Sequence, residues 1–198
     1  MANLCEKLLD SCIAASCENP IFSGVDSKAY IFNKSEIASF TYATGSANII
    51  EGIVMKEKEE GVNYTGYSII QLGKQPYEGT NTAFAEGNIA NTFTNTFNFL
   101  VPDNSPKAAH IIDNLANGKF VVVIKNDYSG SDEKGTFQVY GAKKGLSCTG
   151  VTNEKYGDAE GGWAITLTEE NAPNSAIFFY KEGTVADEAT LDALVDCE

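Results

Sequence analysis

The chain has 198 residues, 43% of them hydrophobic, which is enough for one substantial core, and its formal net charge is −13. All fourteen positively charged side chains are lysines, because the sequence contains no arginine. Base-specific recognition relies heavily on the arginine fork, and an acidic chain repels the phosphate backbone at long range. The composition therefore argues against sequence-specific binding of nucleic acid.

Neither a targeting segment nor a disulfide framework is expected. Residues 1–7 lack a basic region followed by a long apolar run, and no window reaches the roughly eighteen apolar residues of a membrane span. The cysteine count of five is odd, which argues against a set of disulfides. Cys5, Cys12 and Cys17 lack the paired spacing of a zinc knuckle. We therefore expect a soluble protein with reduced cysteines, no metal, no cofactor and no membrane partner.

The first half of the chain predicts a terminal segment followed by strands. Residues 3–15 have an apolar spacing that predicts a short amphipathic helix, or an arm on a neighbouring subunit. The apolar side chains of this stripe include Leu4, Leu8 and Leu9. Strand patterns follow at residues 29–32, 39–42, 49–55 and 64–72. Residues 56–61 form a mixed run of lysine and glutamate that ends in a glycine, which is typical of a solvated hairpin tip or loop. Residues 80–91 predict a polar loop anchored by Phe84.

Residues 91–140 predict a strand, a helix, a strand, a turn and a further strand. Residues 92–99 alternate polar with apolar side chains, the period of a half-buried strand. Ser105 supplies a helix cap and Pro106 a favourable first helical residue, while Gly118 is expected to end the helix in a left-handed conformation. The apolar face of this helix is predicted to carry Ala108, Ile111, Ile112 and Leu115. Residues 120–124 form an apolar run that predicts a strand buried on both faces.

The remaining patterns complete a mainly β fold. Further strands are predicted at residues 136–140, 146–151, 163–168 and 176–180. The tail carries Leu191, Leu194 and Val195 at near-helical spacing, which predicts a terminal helix or an arm. We expect a β-sandwich or barrel with one flanking helix at about 105–117. The predicted division is a β-rich domain at 20–182 between terminal segments 1–19 and 183–198, each an arm or a short helix.

No catalytic, cofactor-binding or metal-binding residue is assigned. His110 is the sole histidine, so it cannot build a histidine-rich site, and we expect it on the helix surface or in helix packing. An acidic turn around Asp127, Asp132 and Glu133 does not match the calcium loop of an EF-hand. Acids near Trp163 suggest glycoside hydrolysis as an alternative, although an acidic chain brings carboxylates together by chance. These acids are Asp158, Glu160, Glu169 and Glu170.

The second half of the chain resembles virion structural proteins of tailed phages and prophages of Bacteroides-type bacteria, in the pattern of a tail tube. The resemblance rests on the order of several motifs and on the Asn-x-Tyr-x-Gly turn at residues 126–130. The motifs occupy residues 97–99, 105–124, 126–130, 137–141, 144–146 and 162–167. The resemblance implies a sheet-rich, non-enzymatic subunit that assembles with itself into rings, often hexameric. Such rings stack into a tube, joined by loops and terminal arms, and DNA passes through an acidic or neutral lumen.

Candidate assembly residues follow from that resemblance and from the exposed or apolar segments. They are Leu4, Leu8, Leu9, Lys56, Glu57, Lys58, Glu59, Glu60, Leu191, Leu194 and Val195. The expected location is the virion tail, after synthesis in the bacterial host cytoplasm, with other tail or connector proteins as further partners. Three alternatives remain: a ring of the head–tail connector, a capsid decoration protein, and a carbohydrate- or ligand-binding β-sandwich. The acids near Trp163 keep a hydrolase as a fourth.

Overall fold

The computed structural model describes residues 24–71, 76–87, 90–129, 132–153 and 162–196. These residues form thirteen strands and two helices. The strands are β1 (Val25–Asn33), β2 (Ile37–Tyr42), β3 (Ile49–Met55), β4 (Glu57–Glu59), β5 (Val62–Asn63), β6 (Tyr67–Ile70), β7 (Asn81–Ala85), β8 (Thr92–Val101), β9 (Lys119–Asn126), β10 (Phe137–Tyr140), β11 (Leu146–Asn153), β12 (Trp163–Ala172) and β13 (Ile177–Phe179). The helices are α1 (Pro106–Asn117) and α2 (Thr184–Asp192), and a 3-10 turn at Lys34–Glu36 joins β1 to β2. The predicted mainly β fold with a flanking helix is confirmed.

Strands β1 and β9 are the centre of the molecule, because they bury side chains on both faces. The two strands pair antiparallel, with Tyr30 opposite Val123. On β9, Phe120, Val122 and Ile124 enter a first core, whereas Val121 and Val123 enter a second core on the opposite face. This alternation follows from the two-residue period of a strand. The predicted double burial of residues 120–124 is therefore confirmed.

One large mixed sheet extends from this centre in two directions. The edge of β9 that faces away from β1 pairs with β10 along part of its length and with β11 at its start. From β10 the order continues through β13 and β3 to β2, and from β11 it continues through β12 and β8 to β7. All of these pairings are antiparallel except that of β13 with β3. The two branches cover opposite cores, which accounts for the sandwich-like arrangement.

Helix α1 starts as the sequence predicts, but it ends differently. The Ser105 Oγ accepts a hydrogen bond from the Ala108 amide at 3.3 Å, and Pro106 is the first helical residue. Ala108, Ile112 and Leu115 are buried, whereas Ile111 is 42% exposed and lies outside the packed face. The expected left-handed Gly118 is wrong, since its φ is −90° and its ψ is 171°. Glycine is favoured there because a Cβ atom would approach the Phe120 ring to 2.1 Å.

The segment at residues 80–91 differs from the sequence-based expectation, and the two terminal segments have separate outcomes. Residues 80–91 do not form a loop throughout, because Asn81–Ala85 pairs with β8 as strand β7. Phe84 does not anchor this segment in the core, since it is 62% exposed and contacts Phe93 edge to face. The tail forms α2, which is the helical alternative. The predicted segment 1–19 and its residues Leu4, Leu8 and Leu9 lie outside the described residues.

Candidate assembly surfaces

The charged run at residues 56–60 lies in a small hairpin that projects from the body. Strands β4 and β5 pair only with each other among the described strands, and their side chains are exposed, including Val62 at 53%. The base is held in place, since the Lys56 Nζ donates to the Ser35 carbonyl at 2.6 Å and the Tyr64 amide donates to the Lys56 carbonyl at 2.9 Å. The hairpin therefore presents Lys56, Glu57, Lys58, Glu59 and Glu60 to the exterior without contributing to either core.

A groove of about 360 Å³ runs beside the base of this hairpin. Both exposed polar groups and aromatic rings line it. The lining residues are Glu36, Lys58, Val62, Asn63, Tyr64, Thr65, Tyr67 and Asp196. Tyr67 belongs to β6 and is 56% exposed, and Ile70 on the same strand is 59% exposed. The groove is therefore a mixed polar and aromatic surface beside the charged hairpin.

Two ends of the large sheet carry edge strands with no second partner among the described residues. At one end β2 pairs only with β3, and at the other end β7 pairs only with β8. An edge strand exposes a row of backbone donors and acceptors that another strand can pair with. Strand β6 likewise has a single strand partner, β1, among the described residues, so β2 and β7 are distinguished by lying at the two opposite ends of the main strand order.

Strand β7 pairs with only part of β8, and side chains form hydrogen bonds with the remaining backbone edge of β8. The Asn98 amide donates to the Thr80 Oγ1 at 3.1 Å, and the Leu100 amide donates to the Gln71 Oε1 at 2.9 Å. The Gln71 Nε2 in turn donates to the Leu100 carbonyl at 2.7 Å, so one side-chain amide replaces a rung of the ladder. This closure restricts the open edge on that side to β7. The sequence-based analysis missed Gln71, and a single glutamine offers no pattern that would identify it.

A cavity of about 370 Å³ lies beside that closure, and a tyrosine fixes one wall. Tyr77 has a φ of 59°, is 4% exposed and stacks on Phe97 with ring centroids 5.2 Å apart. Its hydroxyl lies 2.8 Å from both the Ser27 and the Ile69 carbonyl oxygens. Burial raises the pKa of the Tyr77 phenol, so the hydroxyl remains a donor at neutral pH. The tyrosine thus ties the 76–80 turn to β1 and β6, which is a structural role.

The C-terminal apolar stripe is used within its own chain. Leu191 is 0% exposed in the second core, and Leu194 and Val195 pack against that core. The chain continues along Gly66, whose amide donates to the Leu194 carbonyl at 2.8 Å and whose carbonyl accepts from the Asp196 amide at 3.1 Å. Leu191 is therefore already covered by its own chain. The boundary predicted at residue 183 lies directly before α2, whose Leu191 belongs to the second core.

Side-chain carboxylates hold the start of α2. The Glu133 Oε2 accepts from the Thr184 amide at 3.0 Å and from the Thr184 hydroxyl at 3.1 Å. Those hydrogen bonds hold the pKa of Glu133 below its ordinary value. Asp187 is buried, and its carboxylate accepts from the Lys181 and Glu182 amides at 3.0 to 3.2 Å. The N-cap residue is Gly183, which has no side chain to accept a hydrogen bond, so the Thr184 amide is satisfied by Glu133 from outside the helix.

Ion pairs hold the outer face of α2 against the central strands. The Lys125 Nζ lies 2.7 Å from the Glu188 carboxylate, and that hydrogen bond raises the pKa of Lys125. Asp192 accepts from the Lys28 Nζ at 2.5 Å and from the Tyr30 hydroxyl at 2.7 Å. Partial burial would raise the pKa of Asp192, but these hydrogen bonds and the nearby lysine charges lower it below its ordinary value. The helix is therefore fastened at both ends.

Those candidates for catalysis that the structure describes, Glu169, Glu170 and His110, are each accounted for separately. Glu169 is buried and accepts from the Asn95 side chain at 2.9 Å and from the Lys144 amide at 2.8 Å, so its carboxylate holds a turn. Glu170 is exposed, and Asp158 and Glu160 lie outside the described residues. His110 is exposed on α1 and lies 3.4 Å from the Asn114 amide. Within the described part of the chain, no three His, Cys, Asp or Glu side chains are grouped to hold a metal ion.

The acidic turn between β9 and β10 is also accounted for by local contacts. Asp132 pairs with Lys134 at 3.1 Å, and Glu133 binds Thr184 as described above. Asp127 is exposed, and its amide donates to the Gly24 carbonyl at 3.1 Å. These contacts make the turn part of the scaffold around α2.

No helix within the described ranges is long and apolar enough to cross a membrane. Comparison with protein-family models, curated proteins and solved structures finds no match to this chain.

Proposed function

We propose that this chain is a non-enzymatic structural subunit of a phage virion, most closely a tail-tube protein that forms stacked homo-oligomeric rings. The observation that carries the proposal is that β2 and β7, at the two ends of one strand order, each have a single strand partner among the described residues. A contact between one edge and the other is heterologous, and such contacts close into rings when the rotation allows it. Ring formation would pair both exposed backbone edges and remove a source of uncontrolled aggregation.

Two further features support the proposal. The projecting hairpin of β4 and β5 contributes to neither core, so it is free to reach a neighbouring subunit. The net charge of −13 and the absence of arginine suit a wall that DNA passes without adhering. The proposed location is therefore the virion tail, with other tail or connector proteins as partners.

The test is whether purified protein assembles and whether the sheet edges carry the assembly. Sedimentation velocity and negative-stain images of the full chain are expected to show rings or tubes of one diameter. Ser39→Lys on β2 and Ala83→Lys on β7 place a charge on each exposed edge, which disfavours strand pairing. We expect either variant to need a roughly tenfold higher protein concentration to assemble, which corresponds to a loss of about 1.4 kcal/mol in association free energy.

Ile111→Lys on α1 is the matched control, because it adds the same charge at a partly exposed position away from both edges. It is expected to assemble like the unaltered chain. Single rings that never stack would favour the head–tail connector. A monomer at all concentrations would contradict the proposal and would favour a ligand-binding module, to be tested next on glycan arrays.

A further inference from the structure

Lysines gather at one end of the central strands despite the acidic composition. The turn after β1, the start of β9 and the turn after β10 meet there. Together they bring Lys34, Lys119, Lys143 and Lys144 to one surface, named here the lysine end. Lys119 and Lys34 both lie against Gly145. A Cβ atom built on this glycine would lie 3.2 Å from Lys119 Cβ and 3.5 Å from Lys34 Cγ. Lys119, Lys143 and Lys144 are exposed.

These lysines are only partly compensated by acids of the same chain. The Lys34 Nζ donates to the Ala142 carbonyl at 2.5 Å and lies 4.6 Å from the Phe40 ring. The Lys143 Nζ lies 4.2 Å from the Tyr42 ring centroid. The nearby acids are Glu36, which accepts from the Asn33 side chain, and the buried Glu169. Burial and the charge of Lys143 lower the pKa of Lys34, while the charge of Glu169 opposes that change.

The opposite end of the same strands is acidic. It comprises the start of β1, the turn after β9 and the start of α2, which the Lys125 and Glu133 contacts join. This surface, named here the acidic end, carries Asp26, Asp127, Asp132, Glu133, Glu182 and Glu188. Three lysines lie among them, and each is paired with an acid of this end: Lys125 with Glu188, Lys134 with Asp132, and Lys181 with Glu182. Asp127 and Asp132 are exposed.

The two ends are separated by the length of the central strands. Strand β9 runs from Lys119 at the lysine end to Asn126 at the acidic end, roughly 23 Å at the usual rise per strand residue. This distance exceeds the Debye length of about 8 Å at physiological salt, so the two ends do not neutralise each other within one chain. Each end is left to attract a surface of opposite sign on another molecule.

We propose that the lysine end of one copy docks on the acidic end of the next copy, head to tail along the strand direction. The proposal rests on the proposed assembly and specifies which faces meet when rings stack. Sheet pairing through β2 and β7 would use backbone groups, whereas the contact between the charged ends would use side chains, so the two contacts draw on different groups of the chain. Charge complementarity mainly fixes orientation and excludes the reversed pairing of like-charged ends.

A second copy is the occupant that the charges favour. The complementary acidic surface lies on the same chain, so every subunit in an assembly brings a matching partner. A DNA backbone would also attract lysines, but it would be repelled by the −13 charge of the rest of the molecule. The patch contains no arginine, which is the usual side chain for bidentate phosphate contacts.

The experiment reverses the charge of each end separately and then combines the variants. One variant carries Lys119→Glu and Lys143→Glu, and the other carries Asp127→Lys and Asp132→Lys; all four positions are exposed. Each variant alone is expected to need at least about tenfold higher concentration to form stacked rings, because like-charged ends then face each other. An equimolar mixture is expected to regain stacking, since each reversed end meets a complementary end of the other variant. Negative-stain images and light scattering measure the stack length.

Lys107→Glu is the matched control for Lys119→Glu, because both lysines are exposed and they flank opposite ends of α1. It is expected to leave stacking unchanged, and circular dichroism checks that all variants remain folded. Single rings from both reversed variants with no rescue on mixing would overturn the head-to-tail contact while leaving ring formation intact. Tight binding of a labelled DNA duplex by the unaltered chain, lost in Lys119→Glu with Lys143→Glu, would assign the patch to nucleic acid instead. A chain that forms no rings under any condition would overturn both proposals.

Discussion

Helix α2 and the hairpin of β4 and β5 both contain residues predicted to take part in assembly, and their environments in the folded chain are opposite. Helix α2 inserts Leu191 into the second core and is fastened by Glu133, Lys125 and Lys28. The hairpin leaves every side chain from Glu57 to Glu59 exposed and is held only at its base. An apolar stripe predicts that it will be buried, but it does not predict whether its own chain or a neighbouring subunit buries it. A run of mixed charges, by contrast, does predict that the hairpin is exposed to solvent.

The largest change in stability is expected when the buried leucine of α2 is removed. Leu191→Ala leaves a cavity in the second core, and we expect it to lower the free energy of unfolding by about 2–5 kcal/mol. Urea denaturation followed by circular dichroism measures the change. Val185→Ala on the same helix is the control, because Val185 is 85% exposed and a change within about 0.5 kcal/mol is expected. Equal effects of the two substitutions would mean that α2 does not pack on the core.

The next largest effect is expected at the buried carboxylate that starts α2. Asp187→Ala removes the acceptor for the Lys181 and Glu182 amides and leaves two backbone donors unpaired. We expect a loss of about 1–3 kcal/mol in the free energy of unfolding, whereas Asp187→Asn keeps one acceptor oxygen and is expected to lose less. Thermal unfolding of the two variants side by side separates hydrogen bonding from side-chain volume. Equal losses would indicate that the carboxylate charge, rather than its acceptor geometry, holds the helix.

Acid is expected to weaken the attachment of α2 by a smaller amount. The pKa values of Asp192 and Asp26 are lower in the folded chain, so the stability that these carboxylates contribute is present above their unfolded pKa of about 3.9. That stability is lost as the pH falls through the lower folded values. Urea denaturation from about pH 7 to pH 2.5 is expected to show the decline, and Asp192→Asn is expected to flatten it. An unchanged slope in that variant would assign the acid sensitivity to other groups.

The hairpin is expected to have the smallest effect on stability and a large effect on assembly. Replacing residues 57–62 with a short Gly-containing turn removes no side chain from either core, so the free energy of unfolding should change by no more than about 0.5 kcal/mol. If the hairpin reaches a neighbour as proposed, sedimentation velocity will show fewer or shorter assemblies. A shortened chain that assembles normally would remove the hairpin from the list of assembly surfaces, and a chain that unfolds would show that it supports the core.

Much of the local structure could be predicted from the sequence. The capped start of α1 depends on Ser105 and Pro106, and the burial of β9 depends on an uninterrupted apolar run. These features arise between neighbours in the chain, so a short window contains their causes. Strand β7 escaped prediction because its polar residues are held by pairing with β8 rather than by their own pattern. The hydrogen bonds by which Gln71 closes the edge of β8 were not predicted for a similar reason, since its partner Leu100 is far along the chain.

Periodicity and composition are enough to predict the β-rich class, the helix at 106–117, the exposure of the charged hairpin and the acidic surface free of arginine. The folded chain was needed to show that Leu191 belongs to the core, that Glu133 holds a helix starting at Thr184, and that four lysines meet at one end. Periodicity and capping are set by covalent neighbours. The choice of a partner across the sheet is set by the packing of the whole chain, where distant residues compete for the same space.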